Sequence, residues 1–94
     1  MTKAEARQKL NNLALPVEQD QAVRRAIRRA TAAEIIDLTL TDAGDAVVKR
    51  SRPGNNGYQV FQVTVKPDGS SVVIQMAYDA SGNLVHYDPK WGMP

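Results

Sequence analysis

Residues 57–79 read GYQVFQVTVKPDGSSVVIQMAYD, and the architecture turns on how they are taken. Pro67, Asp68 and Gly69 are turn formers, and on either side of them apolar and polar residues alternate with the period of a strand, which predicts a β-hairpin. On the first run Phe61, Val63 and Val65 share one face while Tyr58, Gln62 and Thr64 take the other. On the second run Val72, Ile74, Met76 and Tyr78 share a face. A lone hairpin is at best marginally stable, so these residues require a wider sheet packed under helices.

Beyond the hairpin, DASGN (79–83) makes a turn in which Gly82 and Asn83 tolerate positive φ. LVHYD (84–88) then reads as a short last strand that Pro89 stops, with Trp91 either a lid folded back on the core, the reading adopted, or a partner contact. Before the hairpin, RPGNNG (52–57) is the strongest break in the chain and reads as an exposed flexible loop. AVVKRSR (46–52) is a strand ahead of it, entered through the turn DAGD (42–45). Residues 31–44 admit two readings. Thr31 and Glu34 have capping-box spacing with Gly44 as a helix stop, whereas Ile36, Leu38 and Leu40 alternate with Asp37, Thr39 and Thr41; the strand reading is adopted.

The first thirty residues are helical in pattern. Thr2 and Glu5 form a capping box, Ala6, Leu10 and Leu13 make an apolar stripe, and Pro16 ends the first helix near residues 11–14. A second helix opens at Pro16 or Val17, with Glu18 and Asp20 at the positive end of its dipole. Val23, Ala26, Ile27 and Ala30 form its buried stripe; Arg24, Arg25, Arg28 and Arg29 lie on the opposite arc, either as a solvated face or as a polyanion contact. The expected fold is therefore α+β, two N-terminal helices packed on an antiparallel β-sheet of four or five strands, in one domain over residues 1–94 with helices over 3–30 and sheet over 35–88.

Composition narrows the chemistry. The 94 residues are 43% hydrophobic and 23% charged, a globular balance. There is no cysteine and one histidine, which excludes disulfides, thiolate metal sites, thiol nucleophiles and sites built from several histidines. No carboxylate loop of the calcium type is present, nor a phosphate-binding glycine loop or a hydrolase motif, so no cofactor and no metal are expected. No apolar run is long enough for a membrane span or a signal peptide, and the chain reads as soluble and untargeted, whether whole or a fragment. Net charge is +2 but unevenly spread: seven bases and three acids up to Ala30, four acids and no bases over 31–48, then Lys49, Arg50 and Arg52.

What remains is a metal-independent kit capable of RNA cleavage, because a 2′-hydroxyl needs only a base, an acid and cations at the phosphate. His86 is the candidate general acid or base and is expected to share a face with Leu84 and Asp88, the latter an orienting carboxylate. Lys49, Arg50 and Arg52 are candidate phosphate contacts, with Arg24 and Arg28 as further RNA contacts. Tyr58, Gln62 and Thr64 offer polar tips on one strand face. Each has a plain structural alternative: a strand histidine bonded to backbone or water, edge-strand cations that discourage aggregation, a half-exposed sheet face.

Residues 46–92, VVKRSRPGNNGYQVFQVTVKPDGSSVVIQMAYDASGNLVHYDPKWG from Val47 on, resemble the C-terminal toxin domains of bacterial polymorphic toxins of the contact-dependent inhibition and Rhs types, through YDASGNLVH and DPK. That resemblance implies a ribonuclease fold of the barnase, colicin and RelE kind, and a secreted effector acting on RNA in a target-cell cytoplasm. It also implies neutralisation by an immunity protein, which would be acidic. Under it His86 is the acid or base, Arg50, Arg52 and Lys49 sit at the phosphate, and Lys49, Tyr58 or Thr64 supplies the second catalytic role. The same hairpin, YQVFQVTVKPDGSSVVIQMAYDASGNLV, is also similar to PepSY-like domains, which implies a non-enzymatic binding or inhibitory module with a structural His86.

Overall fold

A computed structural model describes residues 1–91, Trp91 by its backbone alone, so the expected tryptophan lid lies outside the described side chains. Two helices, α1 (Lys3–Leu13) and α2 (Val17–Arg28), precede five strands, β1 (Ile35–Leu40), β2 (Ala46–Pro53), β3 (Gly57–Val65), β4 (Ser71–Asp79) and β5 (Leu84–Trp91). The strands form one antiparallel meander in chain order, β1-β2-β3-β4-β5.

Local chemistry sets the helix ends. Thr2 Oγ1 accepts from the Glu5 amide at 3.2 Å and Glu5 accepts from the Thr2 amide at 2.9 Å, a complete capping box. The bond from the Thr2 backbone holds the Glu5 carboxyl below its ordinary range. Ala14 ends α1 in the left-handed region at φ 52°, and Pro16 stands directly ahead of α2. Thr31 and Glu34 make only half of a capping box: Thr31 N donates to the Glu34 carboxylate at 2.9 Å, but Glu34 N donates to the Thr31 carbonyl at 3.1 Å, which closes a turn, and the chain goes straight into β1. Alternating burial decides it, because Ile36 and Leu38 reach the core only if residues two apart share a face.

Two further expectations are revised. RPGNNG is a tight connection: β2 runs to Pro53, β3 starts at Gly57, and the Gly54 amide donates to Gly57 O at 2.9 Å. Gly57 pairs with Asp79, and a Cβ there would lie 2.0 Å from Tyr78 O, so only glycine fits. Pro89 does not end β5, which continues to Trp91; β5 is a sheet edge, where a missing amide is tolerated.

The core lies between the helices and one face of the sheet. Ala6 and Leu10 of α1 and Ala22, Val23, Ala26 and Ile27 of α2 meet Ile36, Leu38, Ala46, Val48, Val63, Val65 and Val73, with Phe61 at the margin. α1 packs on β1 and on α2, and α2 packs on β2 and β3. Gln19, only 1% exposed, donates its side-chain amide to Gly44 O at 2.8 Å and Val65 O at 3.0 Å, tying α2 to the β1–β2 turn and to the end of β3.

Candidate interaction surface and the expected site residues

Sheet register fixes which side chains share a face. Val63 pairs with Val48 and with Val73, all three in the core, so odd-numbered residues of β3 and β4 and even-numbered residues of β1 and β2 point at the helices. The opposite, open face therefore carries Tyr58, Val60, Gln62 and Thr64 on β3 and Val72, Ile74, Met76 and Tyr78 on β4. Val47, Lys49 and Ser51 lie on β2 and Asp37 on β1.

This inverts β4 relative to the usual pattern of an antiparallel sheet, in which the apolar face is the one under the helices and the polar face meets water. On the helical side β4 presents Val73 to the core, followed by Gln75 and Ala77; all four of its open-face residues are apolar or aromatic. The PDG hairpin forces this, since pairing Val65 with Ser71 sends every even residue of β4 to the side of Gln62 and Thr64. Across that face Ile74 lies between Gln62 and Pro89, Met76 between Val60 and Tyr87, and Tyr78 between Tyr58 and Leu84. Tyr58 and Tyr78 stack with centroids 4.8 Å apart and planes 13° from parallel. Val60 is buried there outside the main core cluster, while Leu84 and Tyr87 remain 50% and 56% exposed. Among the described residues no helix packs on this face.

The helical face holds the second feature. Beyond the helix ends a cleft of about 170 Å³ is lined by Glu34, Arg50, Arg52, Gln59, Phe61 and Gln75. Arg50 sits over the Phe61 ring, 4.7 Å from its centroid, with Nε 3.5 Å from the Glu34 carboxylate and a long 3.4 Å bond to Ala26 O. Burial pulls this guanidinium below its ordinary value, and the Glu34 charge works the other way. Arg52 donates to Gln59 Oε1 at 3.1 and 3.3 Å.

The expected site residues divide between these faces. His86 is exposed on the helical face beside Ala77, in the cross-strand row that runs Arg52, Gln59, Ala77, His86. Lys49, Tyr58 and Thr64 are on the open face, with the sheet between them and His86. Leu84 does not share His86's face: Leu84 pairs with Tyr78 and His86 with Ala77, leaving Val85 as the extra residue of a β-bulge. Asp88 does share it, but its carboxylate binds Lys90 at 2.7 Å, and that bond holds it below the usual carboxylate range. Arg50 and Arg52 come together in the cleft. Arg24 is engaged by Asp20 at 2.7 Å and Asn11 at 2.6 Å, and Arg28 is exposed on α2. Among the described residues no group of three or more histidines, aspartates or glutamates could hold a metal, and no helix is long and apolar enough to cross a membrane.

Sequence reasoning missed Gln19 and the Glu34–Arg50 pair, both of which join segments distant in the chain. It grouped Val72, Ile74, Met76 and Tyr78 correctly but did not say which face of the hairpin lies under the helices. The signal that separates them is parity through a turn of known length. No family model matches the chain, and no significant match to it was found among curated proteins or solved structures.

Proposed function

We propose that the protein is a non-enzymatic binding module whose working surface is the open face of the sheet. The carrying observation is the inverted β4: an apolar row on the side that, among the described residues, no helix covers. Val72, Ile74, Met76 and Tyr78 are half-buried by one another, and a contiguous apolar area of this kind is often a docking surface. The charges on this face, Asp37 and Lys49, are register partners of opposite sign, which favours an apolar partner over a polyanion. The similarity of the hairpin to PepSY-like modules agrees with this reading, as does the separation of His86 from Lys49, Tyr58 and Thr64 by the sheet.

The test uses anilinonaphthalene sulfonate as an apolar probe on native, dilute protein. Dye fluorescence is expected to rise on the wild type and to fall to background in a folded Ile74→Asp variant. Equal dye binding by both would remove the open face from consideration.

A second reading, metal-independent RNA cleavage by a toxin-type domain, is favoured by one observation: His86, Arg50 and Arg52 share the helical face, with His86 and Arg52 in the same row. Three strand spacings, about 14 Å of backbone, separate the ends of that row. Long side chains reaching over Ala77 would have to close the distance on a phosphodiester. Loss of RNA-cleaving activity in chelator on His86→Ala replacement would support it; intact RNA with the wild type would dismiss it.

A further inference from the structure

We infer that the open face is closed in solution by a second copy of this chain, face to face, giving a two-layered sandwich of sheets with the helices on its two outer surfaces. This rests on the reading of that face as an interaction surface and names its occupant.

The physical need is a missing layer. A sheet with apolar residues on both faces is stable as the middle of three layers or as half of a sandwich, and the helices supply one layer only. A copy of the same sheet supplies the other, with the geometry that sheets of like twist adopt when stacked, about 10 Å apart and about 30° from alignment. The contact is isologous, so residues near the two-fold axis meet their own counterparts. Ile74 lies near the middle of the apolar area, flanked along β4 by Val72 and Met76 and across it by Gln62 and Pro89.

Area places the contact in a size class. Four strands at about 4.8 Å and seven residues at about 3.3 Å each outline roughly 19 by 23 Å, on the order of 450 Å² before side-chain relief is added. Stable standard interfaces bury about 800 Å² per partner, and weak reversible ones less than about 600 Å². The open face belongs with the second group, so the dimer is weak and reversible.

Charge selects this face over the other. The helical layer up to Ala30 carries seven bases against three acids and repels its own copy, whereas the open face pairs Asp37 with Lys49 and is neutral. A self-complementary apolar surface with neutral polar residues at its margins, such as Ser51 and Thr64, is what a homodimer contact requires.

Sedimentation velocity over a dilution series from low micromolar to near-millimolar protein tests this. The wild type is expected to pass from monomer to dimer, and Ile74→Asp, with wild-type circular dichroism, to stay monomeric throughout. Ile74→Thr keeps a β-branched strand former in case the aspartate prevents folding. It should weaken association on the order of tenfold, because a two-fold contact counts each substitution twice. A third variant, Ile74→Cys, places one thiol in a chain that has no cysteine, and mild oxidation should link two copies. A wild type that stays monomeric, or an Ile74→Asp or Ile74→Thr protein that associates as the wild type does, overturns the inference. If the monomer still binds the apolar dye through Ile74, the binding-module reading survives with a different partner; if it does not, both readings fall together.

Discussion

Val73 and Ile74 are neighbours on β4 whose side chains point through opposite faces of one sheet, and a pair of substitutions there tests the assignment of faces. Val73 is 0% exposed and belongs to the core cluster beneath the helices, so Val73→Ala removes two carbons from a packed interior. At about 0.8 kcal/mol per buried CH₂ the transfer loss is roughly 1.6 kcal/mol, and incomplete collapse of the cavity adds up to about 1 kcal/mol. The expected cost is therefore about 1.6 to 2.6 kcal/mol. For a domain of this size that lowers Tm by roughly 10 to 20 °C. Ile74→Thr deletes a similar apolar volume from the open face while keeping a β-branched side chain, and in the dilute monomer it should cost less than about 1 kcal/mol. Thermal and urea unfolding followed by circular dichroism at low micromolar concentration measures both. Equal losses would mean that Ile74 is packed as deeply as Val73 and that no open apolar face exists.

Other substitutions check the remaining structural assignments. Ala14→Gly should raise stability by about 1 kcal/mol, because Ala14 holds φ 52° at the end of α1, a conformation glycine adopts without a Cβ penalty; a lower Tm would contradict that assignment. Gln19→Met leaves Gly44 O and Val65 O without their side-chain donor in or near the core and should cost about 2 to 3 kcal/mol in denaturant unfolding. Acid should destabilise the β3–β4 and β4–β5 turns: the Ser70 hydroxyl and amide hold Asp68, and the Asn83 and Ser81 amides hold Asp79, below the ordinary aspartate range. Groups with lowered folded values contribute stability that is fully present above the unfolded value, about 3.9, and lost as pH falls through the lower folded values. An acid titration of unfolding should show this loss, and Asp68→Asn with Asp79→Asn should make it smaller.

How much was legible in the sequence depends on the range of the interaction involved. The capping box at Thr2 and Glu5, the stripe from Val23 to Ala30 and the PDG hairpin are local, each decided by residues within a few positions, and the structure has them as the sequence implies. The strand over Ile35–Leu40 was legible for the same reason, its alternation outweighing a Thr31–Glu34 pair that proved to close a turn. The face of His86 was not, because one extra residue at Val85 shifts the parity on which the expectation with Leu84 depended. Nor were the partners of Arg50, which is held between Phe61 and Glu34, residues distant from it in sequence. Lys49, one position earlier, points to the other side of the sheet, so a cluster in sequence is divided in space.

Methyl-resolved NMR spectra across a concentration series address the open face directly. A face-to-face dimer should give shifts that grow with concentration on the Val47, Val60, Val72, Ile74 and Met76 methyls, with Val48, Val63 and Val73 unmoved. Spectra that do not change with concentration, or changes confined to the arginine side of α2, would contradict it.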